Sequence, residues 1–173
     1  GNNMLQVGFM KLSEHAIIPT KAHATDSGFD LYAAEDVVIL PGETKVIKTD
    51  IAVVLPTNHE AQVRPRSGVT SKTKLRVQLG TIDNSYRGNI GIIVDNRQEN
   101  SCDNVSCYVL HIDGSAYREA DGLYDVGSYL IRKGDKLAQL VVQPLPITES
   151  VEIFELDETD RGENGFGSSG VRA

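Results

Sequence analysis

Three stretches of this sequence place a charged or hydroxylated side chain beside a glycine, the combination that phosphate chemistry uses. Arg66-Ser67-Gly68 offers a guanidinium, a hydroxyl and unscreened backbone N–H groups. The planar fork of Arg matches phosphate oxygens, and a helix starting here would add partial positive charge at its N-terminus. Taken alone, the same residues read more simply as a helix start capped by Ser67. The C-terminal run RGENGFGSSG carries Arg161, Phe166, Gly167 and Ser168. It is too Gly-rich to fold by itself, and alone it reads as a solvated terminus, yet a plain linker has no need of an aromatic. Asp30 and Asp83 each follow an apolar neighbour, Phe29 and Ile82. An acid so placed can bind a metal or act as a base; alone, each reads as a turn-capping Asp. No Ser-His-Asp arrangement and no P-loop is visible, and Gly165-Phe166-Gly167 is too short for a dinucleotide fingerprint. His15, His23, His59 and His111 have no zinc-site spacing, and Cys102 and Cys107 cannot complete a four-ligand site. The two cysteines read as reduced thiols.

Short, mostly alternating apolar runs must position these residues. Leu5–Phe9 alternates, Asp36–Leu40 runs into Pro41-Gly42, and Lys45–Leu55 is rich in β-branched residues and stops at Pro56. Ala61–Val63, Asn89–Val94 and Lys136–Val142 are further runs bounded by Gly, Pro, Asn or Asp. Such a pattern predicts strands of a sandwich or barrel, with helix confined to a turn or two between Ser67 and about Leu75. The region from Arg97 to Ser128 differs. It is polar, holds Tyr108, His111, Tyr117 and Tyr124, and reads as one or two short hairpin strands, Cys107–Ile112 the best of them, joined by loops. A loop of that length is unusual unless functional or mobile.

The chain has 173 residues, 17 Lys and Arg against 24 Asp and Glu, and a net charge of −7. That size suits one domain, with a core large enough to need no staples. With 40% hydrophobic and 24% charged residues, a wholly disordered, collagen-like or coiled-coil chain is excluded. No run approaches the roughly 18 apolar residues that span a bilayer, and GNNMLQVGFMK has no signal-peptide pattern. A cytoplasmic protein without membrane contact is expected. The acidic balance argues against direct nucleic-acid binding, which needs a basic face, but leaves room for a small anionic ligand held by a few local cations.

Weak singly, the candidate stretches are strong in order, because they resemble the five motifs of the trimeric deoxyuridine triphosphatases (dUTPases). Ala24–Ala34 (ATDSGFDLYAA) is similar to the first, Pro65–Thr70 (PRSGVT) to the second and Gly80–Asn89 (GTIDNSYRGN) to the third. Lys133–Leu140 (KGDKLAQL) resembles the fourth and Arg161–Gly170 (RGENGFGSSG) the fifth. Asn164 stands where the family usually has Gly, Ser169 where it has Thr, and Lys136 where Arg is frequent. The segment 97–128 is far longer than the usual link between the third and fourth motifs, and resembles insertions in some bacteriophage-encoded dUTPases of Gram-positive hosts.

The resemblance implies an all-β fold, a distorted jelly-roll sandwich that acts as a homotrimer, and Mg²⁺-dependent hydrolysis of dUTP to dUMP and pyrophosphate. That activity limits uracil in DNA and supplies dUMP for thymidylate synthesis. Residues 4–160 would form one β domain with insert 97–128, and residues 161–173 a flexible arm that orders over the substrate. Asp83 would orient and deprotonate the attacking water. Asp30 would hold the waters of Mg²⁺ without touching the ion. Arg66, Ser67, Gly68, Gln139, Arg161, Gly167 and Ser168 would surround the phosphates. A β-hairpin over Gly80–Gly91, with Gly80 and Ile82 on its first strand, would read uracil through main-chain groups. Tyr86 would pack on the deoxyribose, and Phe166 would close over uracil as a stacking lid. The motif-free insert, with its tyrosines, is a candidate surface for a protein partner, by resemblance to phage dUTPases a transcriptional repressor. Two alternatives stay open: a dCTP deaminase on the same fold, and an interaction protein without catalysis.

Overall fold

The computed structural model describes residues 4–100, 104–167 and 169–173. Ser168 and Cys102 therefore lie outside the described residues. The chain runs through β1 (Gly8–Lys11), β2 (Phe29–Tyr32), β3 (Val37–Ile39), β4 (Thr44–Lys48), β5 (Ile51–Val54) and β6 (His59–Pro65). The six-residue helix α1 (Ser67–Lys72) follows, then β7 (Leu75–Val77), β8 (Gly80–Ile82) and β9 (Gly91–Asn96). Within the insert lie β10 (Val105–Ser106), β11 (Tyr108–Leu110), β12 (Ala116–Arg118) and β13 (Tyr124–Asp125). The body resumes with β14 (Tyr129–Ile131) and ends on β15 (Lys136–Pro144).

The strands form a distorted jelly-roll sandwich. One sheet has the order β2-β15-β6-β8, a second β4-β9-β7, and a third β12-β11-β14-β3. Between them lies one apolar core, with Leu31, Ile39, Ile47, Leu75, Ile92, Ile131, Leu137 and Leu140 fully buried. Strand β15 sits between β2 and β6, and its long Val- and Leu-rich run is what a strand paired on both edges and buried beneath the sheet requires. Among the described residues no helix is long and apolar enough to cross a membrane.

Three expectations need correction. The run Lys45–Leu55 is not one strand. It breaks at Thr49-Asp50, where the buried Thr49 hydroxyl donates to Ile90 O at 2.7 Å and Asp50 takes a φ of 53°. This corner sends the chain from β4, which pairs with β9, to β5, which pairs with β1. At the start, Leu5 is exposed and the strand begins at Gly8. Alternation alone does not place a strand that, among the described residues, pairs only with the short β5. Finally, Gly80–Gly91 is not a paired hairpin. Strand β8 pairs with β6, while β9 pairs with β4 and β7, so residues 83–90 between them form a loop that crosses from one sheet to the other.

The insert is more ordered than its composition suggests. Strand β11 pairs with β12, β10 with β13, and Leu110 joins the body by a parallel step beside Tyr129. His111 is buried and its ring stacks on Tyr117 with centroids 4.0 Å apart. Cys107 is a free, half-buried thiol.

Candidate active site

Strand pairing brings three distant stretches to one end of the β2-β15-β6-β8 sheet. Gln139 on β15 lies opposite Asp30 on one side and Arg64 on the other. The chain leaves β6 at Pro65 and enters α1 two residues later, which sets Arg66, Ser67 and Gly68 at the rim. Asp26, Ser27, Gly28, Asp30, Arg66, Ser67, Gly68 and Gln139 line an open, polar cleft of about 330 Å³. Gly28 is required by close approach: a Cβ there would meet Gln139 Oε1 at 2.6 Å.

The electrostatics of the cleft centre on Asp30. Its carboxylate lies 3.5 Å from Arg66 Nε and 3.7 Å from Lys136 Nζ. Arg66 also donates to Lys136 O at 3.1 Å, and Gln139 Nε2 donates to Pro65 O at 3.0 Å. These bonds hold two cations and one amide at the cleft before any ligand arrives. The helix start is not capped by Ser67. Arg66 occupies the cap position with extended backbone and no side-chain cap hydrogen bond, and Ser67 is the first helical residue. The first turn's N–H groups have no carbonyl four residues earlier to bond within the helix, and both Ser67 and Gly68 are exposed.

Asp83 is elsewhere. It closes a turn in which Tyr86 N–H donates to Asp83 O at 3.0 Å. The ring of Tyr86 lies against Gly88, where a Cβ would collide with it, and its hydroxyl donates to Asn89 O at 2.8 Å. Asn89 in turn exchanges hydrogen bonds with Asp50, through its Nδ2 to the carboxylate (2.7 Å) and its Oδ1 from the Asp50 N–H (3.0 Å). The Ser13 hydroxyl and the Asn89 amide hold the Asp50 carboxyl below its ordinary range. The turn is thus fastened to the β4–β5 corner, with Asp83 and Tyr86 exposed.

One chain does not bring the acid and the cleft together. Gly80, Thr81 and Ile82 lie opposite Val63, Gln62 and Ala61, which carries Asp83 to the level of Glu60. That is six residues along β6 from Arg66, or about 20 Å at the usual rise of a strand. Gly80 and Ile82 are placed on β8 as the motif order requires, Ile82 with its side chain buried. Past Pro144 no strand or helix follows among the described residues. Arg161 donates to Asn164 O at 2.5 Å, Gly167 has a φ of 84°, and Phe166 is fully exposed. None of these arm residues lines the cleft. Ile147, Val151, Ile153, Phe154 and Leu156 are also exposed. Asn84, whose amide ties the Asp83 turn to the body, had no distinguishing sequence signal beyond its position after Asp83.

Known proteins match this chain in sequence and fold. The dUTPase family profile matches residues 14–103 and 127–170, which leaves the middle of the insert outside it. A deoxyuridine 5'-triphosphate nucleotidohydrolase of Clostridioides difficile is 40% identical over 169 residues, covering 96% of this chain and 99% of that protein. Among solved structures, a mutant dUTPase of Staphylococcus bacteriophage 80alpha with dUpNHpp is 42% identical, with a TM-score of 0.90, covering 98% of this chain and all of the other. A mutant dUTPase from phage phi11 of S. aureus, described with a structural Mg(II) ion, is 39% identical with a TM-score of 0.85, covering 88% of this chain and 99% of the other.

Proposed function

Since the chain belongs to the dUTPase family and is a dUTP-hydrolysing enzyme, we propose a division of labour among its residues. Arg66, Ser67, Gly68 and Gln139 take the phosphate oxygens, and Arg161, Gly167 and Ser168 join them when the arm closes. Asp83 accepts the proton of a water as that water bonds to the α-phosphorus. The bond from the α-phosphorus to the bridging oxygen breaks, pyrophosphate leaves, and dUMP keeps the oxygen from water. Donors fixed before substrate arrives stabilise the charge that develops in the transition state without reorganising. The observation that carries this reading is the cleft: three elements far apart in sequence converge there on two cations, an amide and an exposed helix start.

The donor set fits Mg²⁺ bound chiefly by substrate. Among the described residues no group of three or more His, Cys, Asp or Glu is arranged to hold a metal, and Asp30 is already paired with Arg66 and Lys136. A carboxylate in that state has lone pairs left for metal-bound water, and Mg²⁺ commonly keeps waters and takes phosphate oxygens. Bound there, the ion would neutralise triphosphate charge.

Uracil meets main-chain groups of Gly80 and Ile82, Tyr86 packs on the sugar, and Phe166 stacks over the base. The separation of Asp83 from the cleft supports a homotrimer in which each site draws on more than one chain. The exposed apolar residues between Ile147 and Leu156 support it too, since a second chain would cover them. The reaction belongs in the cytoplasm of a bacterial host. A second role rests on the insert, which docks on the body through Leu110 and exposes Tyr108, Tyr117, Val105 and Leu123. Aromatic residues of this kind favour interfaces, and we assign this face to a protein partner, a transcriptional repressor. Pyrophosphate release with Mg²⁺ from dUTP, set against dTTP, dCTP and UTP, tests the enzymatic reading. Selective release from dUTP is expected. Ammonia from dCTP would move the chain to the deaminases, and no turnover of any nucleotide would leave only the interaction role.

A further inference from the structure

Asn84 follows the proposed base directly, and its side chain does something that neither phosphate nor uracil binding requires. Its Nδ2 donates to two main-chain oxygens, those of Pro56 and His59, each at 2.9 Å. Pro56 lies in the connection between β5 and β6 and His59 opens β6; between them Asn58 has a φ of 60°. Leu145 N–H donates to Asn58 O at 2.7 Å, so the same connection is tied to the end of β15. On its other side the turn is gripped by Arg87, which donates to Asn84 O at 2.7 Å and to Tyr86 O at 3.1 Å.

The turn therefore has local bonds at both ends and two ties to the body: Asn89 to Asp50 at the β4–β5 corner, and the Asn84 amide, which is the tie next to Asp83. Asp83 and Tyr86 are exposed, while Asn84 is half-buried. A side-chain amide supplies two donors from one nitrogen, which is what two converging carbonyls need. A carboxylate of the same shape would face oxygen with oxygen, and a methyl would leave both carbonyls without this partner.

We propose that Asn84 is a positioning residue for the reaction: its double hydrogen bond to Pro56 O and His59 O fixes the Asp83 carboxylate at the distance from the attacking water that turnover needs. The inference rests on the reading of Asp83 as the base. A misplacement of about 1 Å at a reacting group can cost on the order of a hundredfold in rate. The phosphate contacts lie at the other end of the sheet, and Tyr86 keeps its own tie through Asn89 to Asp50, so both stay in place when the Asp83 end of the turn shifts and the effect falls on kcat and spares KM.

The test uses the full chain with Asn84→Ala and Asn84→Asp, beside the parent and Asp83→Asn, in steady-state pyrophosphate release from dUTP. The expected result is a kcat lower by about 10- to 100-fold in Asn84→Ala, a larger loss in Asn84→Asp, and a KM within about threefold of the parent's. If Asn84→Asp fails to fold, Asn84→Ala decides alone. A lowered melting temperature with parent-like kcat would show a merely structural bridge and overturn the inference, as would a loss carried by KM with kcat kept. Retained turnover in Asp83→Asn would overturn both the base assignment and this inference. Parent-like kcat in Asn84→Ala beside an inactive Asp83→Asn would overturn this inference alone.

Discussion

Mixing two inactive variants should restore activity. In a single chain Asp83 stands about 20 Å from Arg66, from six residues of strand. A base works within about 3 Å of the proton it takes, or through one intervening water. On the proposed roles, the phosphates held by Arg66 and Ser67 adjoin the phosphorus that is attacked, so a single chain would not supply both groups to one substrate. Each site would take Asp83 from one chain and the cleft from a neighbour. Arg66→Ala and Asp83→Asn trimers should each be inactive, because every site would carry a lesion. The Arg66 change should not unfold the chain, since Asp30 keeps its pairing with Lys136 at 3.7 Å and a part-exposed ion pair contributes about 1 kcal/mol or less. When the two chains are co-refolded in equal amounts, a site is intact only if its base comes from an Arg66→Ala chain and its cleft from an Asp83→Asn chain. Random assortment in a closed ring makes that about one site in four. Mixed trimers isolated through two different tags exclude the homotrimers and hold one intact site in each ring of three, so their pyrophosphate release should reach about a third of the parent rate per site. Mixed trimers of the right mass with no activity would refute the shared site.

Three further outcomes follow from the same geometry. Deletion of residues 161–173, none of which is buried among those described, should leave the melting temperature within a few degrees and lower kcat/KM at least tenfold; near-parent kcat would count against the arm's role. Replacing Arg97–Ser128 by a short Gly-Ser link should leave kcat/KM for dUTP within about tenfold, or about 1.4 kcal/mol, and total loss in a folded trimer would show that the insert shapes the site. His111 is buried with neither ring nitrogen bonded, and burial, with Arg132 nearby, pushes its pKa below the ordinary value of 6.5. The unfolded chain therefore binds a proton more readily below about pH 6.5, and stability falls as the pH drops through that window; His111→Phe should flatten the dependence between pH 7.5 and 5.5, and an unchanged slope would contradict it.

The chemistry of this chain was more legible in its sequence than the strands that carry it. The short helix at Ser67, the turn at Pro41-Gly42 and the β15 run were readable because each has a local cause: unscreened backbone, a turn dipeptide, a near-continuous apolar run. The corner at Thr49-Asp50 was not, since its cause is a hydrogen bond to Ile90, forty-one residues away. That β8 and β9 do not pair with each other was hidden for the same reason: which sheet each joins depends on distant partners. The four short strands of the insert were under-read because their polar outer faces mask pairing. Arg66, Ser67, Gly68, Asp30 and Gln139 were legible only through motif order. Their convergence is a property of register, and so is the distance that keeps Asp83 from them.

The most direct measurement compares Asp83→Asn with the parent in two assays, turnover of dUTP and binding of a nonhydrolysable dUTP analogue, both with Mg²⁺. Loss of the only acid in the β8 turn should lower kcat by about 10²- to 10⁴-fold, the usual worth of a general base. The phosphate-binding cleft is untouched, so the analogue should bind within about threefold of the parent. Turnover close to the parent's in a variant that binds normally would contradict the account at its centre.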